Sequence, residues 1–323
     1  MPKVSIIIPN YNHAPYLEQR IQSILDQTYQ DFEIIYLDDT STDNSNEVFA
    51  KFADRPNIRA IFNQENSGSS FKQWNKGIRE ARGEYVWIAE SDDYADSTFL
   101  ETLVAILDKN SNVGVVYCQS WKVDSKGEII SNYSYLTDEF DKQRWRSDYI
   151  SNGLDECKNY LAIKNTIPNA SAVVFRRDLF VQVGCAEDSM SLCGDWVTWI
   201  KMVTATDIAF VAKPLNYFRY HESSVRSKSQ RGGTEIYEKM KVFLFIKEEV
   251  GLPLSTLNVS KSRLIDELFF RIKRGEVNSK SILKIYRLSK EVERFVVFRL
   301  LIKLVTYTMT RSTQKLEKII FKT

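Results

Sequence analysis

The sequence is poor in the residues that metal, disulfide and phosphate motifs usually need. Its 323 residues contain 4 cysteines and 2 histidines without a C-x-x-C pair, so it has no zinc-site or disulfide pattern. No glycine lies between Met1 and Ser67, which excludes a dinucleotide-binding or phosphate-cradling glycine loop after the first strand. No run of 18 apolar residues occurs, and Met1 leads almost directly into an apolar strand. We therefore expect neither a membrane-spanning helix nor a signal peptide.

The charge is nearly balanced overall but unevenly distributed. The net charge is +2, yet residues 261–323 hold 16 basic and 6 acidic residues and carry +10, whereas residues 1–260 carry −8. Such asymmetry is informative about partners rather than about fold. The basic residues are not interleaved with a nucleic-acid-binding module, so we expect no nucleic acid partner.

The first half of the chain alternates strand and helix patterns. Short runs rich in β-branched and aromatic residues predict buried strands, and apolar residues three and four apart predict a helix after each. The predicted strands are Val4–Ile8, Phe32–Leu37, Ile58–Phe62 and Tyr85–Ala89. This order predicts an α/β fold with a mainly parallel sheet and helices on both faces.

The second half continues with strands and ends in helices. Strand-like runs cover residues 113–118, 121–124, 171–175, 208–212 and 215–220. Residues 134–155 have no clear periodicity and predict a long loop, whereas a helix begins near Asp195. From about Gly233 the pattern is helical.

Two acidic clusters stand at the ends of predicted strands. They are Asp38-Asp39 and Glu90-Ser91-Asp92-Asp93. Ligands of open α/β sheets bind beyond the carboxyl ends of the strands, so the clusters would share one edge. That many carboxylates repel each other without a cation, and oxygen ligands suit Mg²⁺ or Mn²⁺. The alternative is that both clusters are solvated turns, in which aspartate is common.

Together these features resemble the inverting, GT-A fold glycosyltransferases of family 2. The matching segments are VSIIIPNYNHAPYLEQRIQSILDQTYQDFEIIYLDDTSTDNS and NSGSSFKQWNKGIREARGEYVWIAESDD. The resemblance is strong over about residues 3–110, thinner to about 226 and absent beyond. It implies a Rossmann-like, mixed and mainly parallel sheet in a domain over 1–230, followed by a basic helical extension over 231–323.

The resemblance implies transfer of a sugar from a nucleotide-diphosphate sugar to a glycan or lipid-linked acceptor, as in bacterial capsule or O-antigen synthesis. Asp38 is similar to the aspartate that binds the base, which favours a UDP-sugar, and Asp39 would lie near the ribose. The donor contacts it implies are Pro9, Tyr11, Asp38, Asp39, Asn66, Gly68, Ser91 and Arg219. Arg219 or Arg226 would neutralise phosphate.

The resemblance also assigns the metal ligands and the catalytic acids. Asp92 is the expected ligand of Mg²⁺ or Mn²⁺, with His221 completing the shell, although His221 also fits a surface position after a strand. Asp93 would position sugar hydroxyls or support the metal. Asp195 is the expected general base, since inversion needs one base at the acceptor hydroxyl.

The assignment of the base leaves alternatives open. Asp195 also fits a helix cap, a common role for aspartate. If Asp195 only caps the helix, Glu187 and Asp188 are the next candidates.

The sequence departs from the family pattern in two places. Glu90 replaces the usual aspartate and reaches one methylene further. The interval from Asn66 to Asn75 is one residue longer than usual, which leaves donor roles for Lys72 and Asn75 open. Sugar and acceptor identity would depend on the loops at 134–168 and 222–235.

The basic tail suggests a membrane partner. Its apolar stretch at 295–305 is punctuated by charge, as in helices that lie on anionic membranes, so a cytoplasmic protein at the inner face of the plasma membrane is expected. The alternative is a helical cap packed on the catalytic domain. An oligomer is compatible with the sequence.

Two other functions remain as alternatives. A sugar-1-phosphate nucleotidyltransferase has a similar sheet but needs a glycine-rich loop after the first strand. A non-catalytic sugar- or lipid-binding protein would not need Asp92 and Asp195 together.

Overall fold

The computed structural model describes residues 1–221 and 232–320, with side chains described to residue 308. The chain divides into two compact units, Met1–Ser227 and Lys228–Thr323. The predicted domain boundary near residue 230 lies outside the described residues, as do Arg226 and residues 222–231 of the second predicted specificity loop.

A mixed, mainly parallel sheet forms the centre of the first unit. Its strands are β1 (Val4–Asn10), β2 (Phe32–Asp38), β3 (Ile58–Phe62), β4 (Tyr85–Ile88), β5 (Tyr94–Ala95), β6 (Val113–Val123), β7 (Ile129–Asn132), β8 (Tyr149–Ser151), β9 (Val173–Arg176) and β10 (Asp207–Arg219). The strand order is β3-β2-β1-β4-β9-β6-β10-β5, with β7 beside β6 and β8 beside β10. The first four strands are parallel, and β9 is antiparallel to β4 and β6. This sheet confirms the predicted fold class.

Seven α-helices accompany the sheet in the part of the first unit that the structure describes. They are α1 (Ala14–Leu25), α2 (Ser45–Ala50), α3 (Ser70–Glu80), α4 (Phe99–Lys109), α5 (Gly153–Glu156), α6 (Arg177–Gln182) and α7 (Gly194–Val203). The periodicity predicts five of them, α1 to α4 and α7. On α1, Leu17, Ile21 and Ile24 recur at helical spacing and are buried in the main apolar core. A proline in the first turn favours the start of α1, where its missing N–H costs nothing.

The structure differs from the prediction in several segments. The runs at 113–118 and 121–124 form one strand, β6, and the sequence does not predict the short elements β5, β7, α5 and α6. Strand β10 runs without a break through Pro214, where register shifts mark bulges that tolerate a proline. The predicted loop at 134–155 contains two short 3₁₀ turns and β8. Trp145 is buried there and donates to the Tyr117 hydroxyl at 2.9 Å. Burial of single aromatic residues orders this segment, and such contacts leave no periodic sequence signal.

The second unit is helical, as predicted. It contains α8 (Thr234–Phe245), a π-helical turn (Ile246–Val250), α9 (Leu254–Lys273), α10 (Ser279–Val292) and α11 (Val296–Ile320). Its apolar core includes Ile236, Met240, Ile265 and Ile285. Within residues 1–221 and 232–320, none of the helices combines the length and apolar content that crossing a membrane requires.

Candidate active site

The two acidic clusters lie at one edge of the sheet. Strand β1 lies between β2 and β4, and its last residue, Asn10, is in register with Asp38. Ile88, the last residue of β4, is in register with Ile7 on the other side of β1. Because these strands are parallel, residues 38–39 and 90–93 leave the sheet on either side of the loop that follows β1.

Asp38 is buried, and its carboxylate fixes the exit of β2. It accepts hydrogen bonds from the Tyr36 hydroxyl at 3.0 Å, from Asn10 Nδ2 at 3.0 Å and from the Ser41 backbone N–H at 2.8 Å. Pro9, the residue before Asn10, is buried in β1. Asp38 therefore joins the ends of β1 and β2 through internal hydrogen bonds.

Asp39 organises a second loop, between β3 and α3. Its carboxylate accepts hydrogen bonds from Asn63 Nδ2, from the N–H of Ser67 at 2.8 Å and from Gln73 Nε2 at 3.0 Å. The Ser67 hydroxyl also donates to it at 2.8 Å. One buried carboxylate thus anchors three parts of the segment that would border a nucleotide.

The same loop contains Asn66 and Gly68. Asn66 Nδ2 donates to the Asp39 carbonyl at 2.8 Å, and its Oδ1 accepts the Gly68 N–H at 2.8 Å. Gly68 has φ +70° with open space where a Cβ would stand, so the backbone conformation alone requires glycine. Across the edge, the Tyr11 side chain is 47% exposed and available for contact.

Among the described residues, Glu90 is not part of the group of side chains that could hold a metal ion, and it is used internally. Its carboxylate accepts a hydrogen bond from Trp74 Nε1 at 2.8 Å, and its N–H donates to the Ser171 hydroxyl at 3.2 Å. Burial, reinforced by the charge of Asp92, raises the pKa of Glu90 to about 8. The extra methylene noted in the sequence thus lets Glu90 join the 90–93 turn to α3.

Asp92 meets two histidines from distant parts of the chain. Its Oδ2 lies 2.9 Å from His221 Nε2, and possible ligand atoms of His13, Asp92 and His221 all lie within 4.8 Å of one another. Burial would raise the pKa of Asp92, but His13 and the hydrogen bond from His221 outweigh it and lower this pKa. These three side chains have the spacing of a metal site.

His13 was missed by sequence reasoning, which placed only Asp92 and His221 at the metal. Its Nδ1 lies 2.8 Å from the Ser91 hydroxyl, and its ring stands 5.6 Å from that of His221. The available signal was its position, three residues after β1, in the loop that crosses the same sheet edge. Ser91 is buried and orients His13 rather than facing open space.

Arg219 is buried, and its guanidinium donates hydrogen bonds within the protein. Its Nε donates to the Asp92 carbonyl at 2.7 Å, and its Nη1 donates to the carbonyls of Asp124 and Ser125 at 3.2 and 3.1 Å. Its backbone N–H donates to Asp93 Oδ1 at 2.8 Å. Arg219 therefore ties the 90–93 turn to β10 and to the hairpin after β6.

Asp93 lies inside the protein beneath this turn. It is 1% exposed, and burial, followed by the charge of Asp92, raises its pKa above the ordinary range. A carboxyl this deeply enclosed is more suited to supporting Asp92 than to direct contact with a sugar.

Asp195 lies in the first turn of α7 and is partly exposed. Its Oδ1 accepts the Trp196 N–H at 2.7 Å, and its Oδ2 lies 3.4 Å from Asn165 Nδ2. Gly194 before it is required by packing, because a Cβ there would stand 2.7 Å from the Phe71 ring. Glu187 accepts from the Ser189 hydroxyl, and Asp188 is exposed.

The sequence pattern of the family described as Glycosyl transferase family 2 matches residues 5–183. Glycosyltransferase GlyG of Streptococcus pneumoniae is 36% identical over 162 residues, which cover 50% of this chain and 48% of GlyG. The chain spans about half the length of the curated relatives it matches.

Solved glycosyltransferase structures share the fold. TarS of S. aureus in complex with UDP-GlcNAc superposes with a TM-score of 0.70 at 19% identity, covering 92% of this chain and 82% of that one. The mannosyltransferase PcManGT from Pyrobaculum calidifontis, in complex with GDP-Man and Mn²⁺, gives 0.58 at 16%, covering 92% and 83%. With the family pattern matched over more than half of its length, the chain belongs to glycosyl transferase family 2.

Proposed function

We propose that this chain is an inverting, metal-dependent glycosyltransferase that moves a sugar from a nucleotide-diphosphate sugar, a UDP-sugar by preference, to a glycan or lipid-linked acceptor in surface-polysaccharide synthesis. Residues 1–230 form the catalytic domain in this proposal. The observation that carries it is the meeting of Asp92 with His13 and His221 at the sheet edge that also holds the Asp38 and Asp39 loops.

The residues at the metal position fit a divalent ion. One carboxylate oxygen and two imidazoles offer three ligand atoms close enough to converge. The imidazoles suit a transition-metal ion, and Mn²⁺ is a transition-metal ion that also suits the carboxylate. A divalent ion held there would stabilise the charge that develops on the leaving diphosphate. The lowered pKa of Asp92 supports this role, because the group stays a carboxylate at neutral pH.

The donor would lie across the loops after β1, β2 and β3. Exposed Tyr11, two residues after Pro9, is suited to contact a base, and the turn that contains Asn66 and Gly68 would pass close to the sugar nucleotide. Asp38 and Asp39 remain the proposed base and ribose ligands, and their internal hydrogen bonds hold these loops ready. In this proposal Ser91 acts through His13, and Arg219 acts by holding the 90–93 turn.

Asp195 is the proposed general base. It stands in the first turn of α7, where the positive end of the helix dipole favours an ionised carboxylate. An ionised Asp195 would accept the acceptor hydroxyl proton as the sugar bond forms, which is the one proton transfer that inversion requires. Asp93 supports the metal-binding turn from beneath.

The proposal includes an anionic membrane at the cytoplasmic face as a partner of residues 261–323. On α11, Val296 and Leu300 pack into the second unit's core, whereas an apolar arc on the opposite side is exposed. We call this arc the outward face of α11; it consists of Val297, Phe298, Leu301, Ile302, Leu304 and Val305. Residues 261–323 together carry +10, a charge that anionic lipid would attract and that would make two copies repel each other.

A donor screen tests the enzymatic proposal directly. The protein would be incubated with UDP-, dTDP- and GDP-sugars, with Mn²⁺ or with EDTA, and free nucleotide would be measured. We expect Mn²⁺-dependent release of UDP from one UDP-sugar. Release from no donor in either condition would contradict an enzymatic role.

A further inference from the structure

A completely buried arginine lies under the candidate metal site. Arg20 belongs to α1 and is 0% exposed. Its Nε donates to the Glu90 carbonyl at 2.8 Å, and its Nη2 donates to the Ser171 hydroxyl at 3.1 Å. Burying a charged group away from water is costly, so a fully enclosed guanidinium implies a compensating negative charge.

The compensating charge comes from the acidic turn. Arg20 Nη2 lies 4.0 Å from Asp93 Oδ2, and both groups are buried. Among the described residues, Arg20 Nη1 and Asp93 Oδ2 have no hydrogen-bond partner. The Arg20 guanidinium and the Asp93 carboxylate therefore attract each other by charge and not through a hydrogen bond, and the low dielectric of the interior strengthens this attraction.

The sequence pattern makes Arg20 unusual as well. Leu17, Ile21 and Ile24 form the buried stripe of α1, and Arg20 occupies a position within this stripe. An apolar residue there would meet the packing requirement without the cost of burying a charge. The presence of an arginine at this position is therefore explained by the acidic turn, residues 90–93, that follows β4.

We propose that Arg20 is a positioning residue, a built-in counter-charge that offsets the repulsion between the carboxylates of the 90–93 turn when no cation is bound. The inference rests on the proposed metal site. Asp92 and Asp93 are adjacent carboxylates that would repel each other, and Arg20 offsets that repulsion from below while its Nε fixes the Glu90 carbonyl. The divalent ion and Arg20 then partly substitute for each other.

The partial replacement of Arg20 by the ion can be measured as the gain in melting temperature that Mn²⁺ gives to each variant. The proteins compared are wild type, Arg20→Met, Arg20→Lys and a control, Arg176→Met, each in EDTA and in saturating Mn²⁺. Arg176 suits the control because it also donates to backbone carbonyls, of Leu107 and Val113, but belongs to β9. A ligand that binds the native state raises the melting temperature of every variant that binds it.

We expect Arg20→Met to melt lower in EDTA and to gain more from Mn²⁺ than wild type, by about 3 °C or more. Arg20→Lys keeps the charge and should show the wild-type gain. Arg176→Met should lose stability without a larger gain. Equal Mn²⁺ gains in Arg20→Met and wild type would overturn the inference, because loss of packing alone predicts that result.

A double variant separates this inference from the proposed function. If wild type shows neither a thermal gain nor a calorimetric signal with Mn²⁺, the metal proposal fails. The role of Arg20 is then tested in EDTA, where the melting temperature of the double variant Arg20→Met/Asp93→Asn is compared with those of Arg20→Met and Asp93→Asn. We expect the double variant to lose less stability than the two single losses together, or to fold where Arg20→Met does not. Additive losses, or a double variant that fails to fold, would overturn the inference.

Discussion

Asp92 Oδ2 and His221 Nε2 lie 2.9 Å apart although the residues are 129 positions apart in sequence. Asp92 belongs to the turn after β4, and His221 follows β10, so the sheet brings them together. His13, from the loop after β1, completes the group. The candidate metal site is therefore assembled by tertiary structure and depends on the positions of three separate loops.

Substitution of Asp92 tests whether this group binds a cation. We expect UDP to bind wild type at least about tenfold more tightly with Mn²⁺ than in EDTA, because an ion held by these residues would offset the negative charge of the diphosphate. Asp92→Asn should remove the difference, since the amide offers a weaker neutral ligand. Isothermal titration calorimetry with UDP measures both affinities.

Asp26→Asn is the matched control, because Asp26 is an exposed aspartate at the end of α1. It should behave as wild type. His13→Gln should reduce the effect of Mn²⁺ without removing it if His13 is a third ligand. Equal UDP affinity in Mn²⁺ and EDTA for wild type would contradict the metal site.

Asp195→Asn tests the proposed base. The amide keeps the shape and can still accept the Trp196 N–H, but it cannot take a proton at neutral pH. We expect transfer to fall by about 10²–10⁴, with donor binding nearly unchanged. Turnover and UDP-sugar affinity would be measured on the same preparation.

The reserve candidates supply the control for this variant. Asp188→Asn should keep wild-type turnover. Wild-type turnover in Asp195→Asn with loss in Asp188→Asn or Glu187→Gln would move the base to those residues. A product that retains the donor's anomeric configuration would contradict the single-displacement scheme altogether.

The strands and the sheet edge could be predicted because the hydrophobic pattern of each element and the order of strands and helices can be read directly from the sequence. Runs such as Phe32–Leu37 are continuous and apolar, and parallel order then sends residues 38–39 and 90–93 to one edge. The helices of the second unit were predictable for the same reason, from the spacing of their buried apolar residues.

The interior of the site could not be predicted because its contacts are long-range. Nothing local to Arg219 indicates that its guanidinium donates to the carbonyls of Asp92 and Asp124. The internal use of Glu90 depends on Trp74, a residue that by sequence marks only the buried face of α3. Arg20, a charged residue within the apolar stripe of α1, was a local signal that indicated a buried polar contact.

The Glu90–Trp74 hydrogen bond gives a stability prediction. Glu90→Asp shortens the side chain by one methylene and leaves the Trp74 N–H without its acceptor at 2.8 Å. An unsatisfied buried donor costs about 1–3 kcal/mol, so the free energy of unfolding should fall by that amount. Urea denaturation measures it. Glu90→Gln keeps both length and an acceptor oxygen and should be nearly neutral, and equal losses in the two variants would contradict this role.

The second unit should lose stability in acid through Glu235. Burial would raise the pKa of Glu235, but Lys239 and then Arg271 outweigh it and lower the pKa to about 2. A carboxyl whose pKa is lowered by folding stabilises the native state above its unfolded pKa, and that contribution is lost as pH falls from about 4.5 to about 2. At neutral pH it amounts to about 3 kcal/mol at most.

Hydrogen exchange of the α8 and α9 amides at pH 7 and pH 3 measures this loss. Wild type should lose protection at pH 3, and Glu235→Gln should already be less protected at pH 7 and change less with pH. Glu248→Gln, on the neighbouring π-helical turn, is the control and should follow wild type. The same pH response in Glu235→Gln and wild type would show that Glu235 is not responsible.

The outward face of α11 predicts binding to anionic membranes. Phe298 and Leu301 are 64% and 54% exposed in a helix whose opposite side is already packed, so water contact there is unfavourable. Full-length protein should float with vesicles that contain phosphatidylglycerol at low salt. Flotation should weaken at high salt, because each engaged basic residue contributes on the order of 1 kcal/mol through screened charge.

A triple variant, Phe298→Ser/Leu301→Ser/Val305→Ser, removes apolar area from the outward face without changing charge. We expect it to lose flotation, whereas Leu254→Ser, which removes a 77% exposed leucine from α9, should float as wild type. Vesicles of phosphatidylcholine alone should bind neither protein strongly. If wild type fails to float but elutes as a dimer that the triple variant converts to a monomer, the face joins two copies instead. Repulsion between two basic tails argues against that outcome, because the free energy gained by burying six apolar side chains would have to exceed the energy of this repulsion.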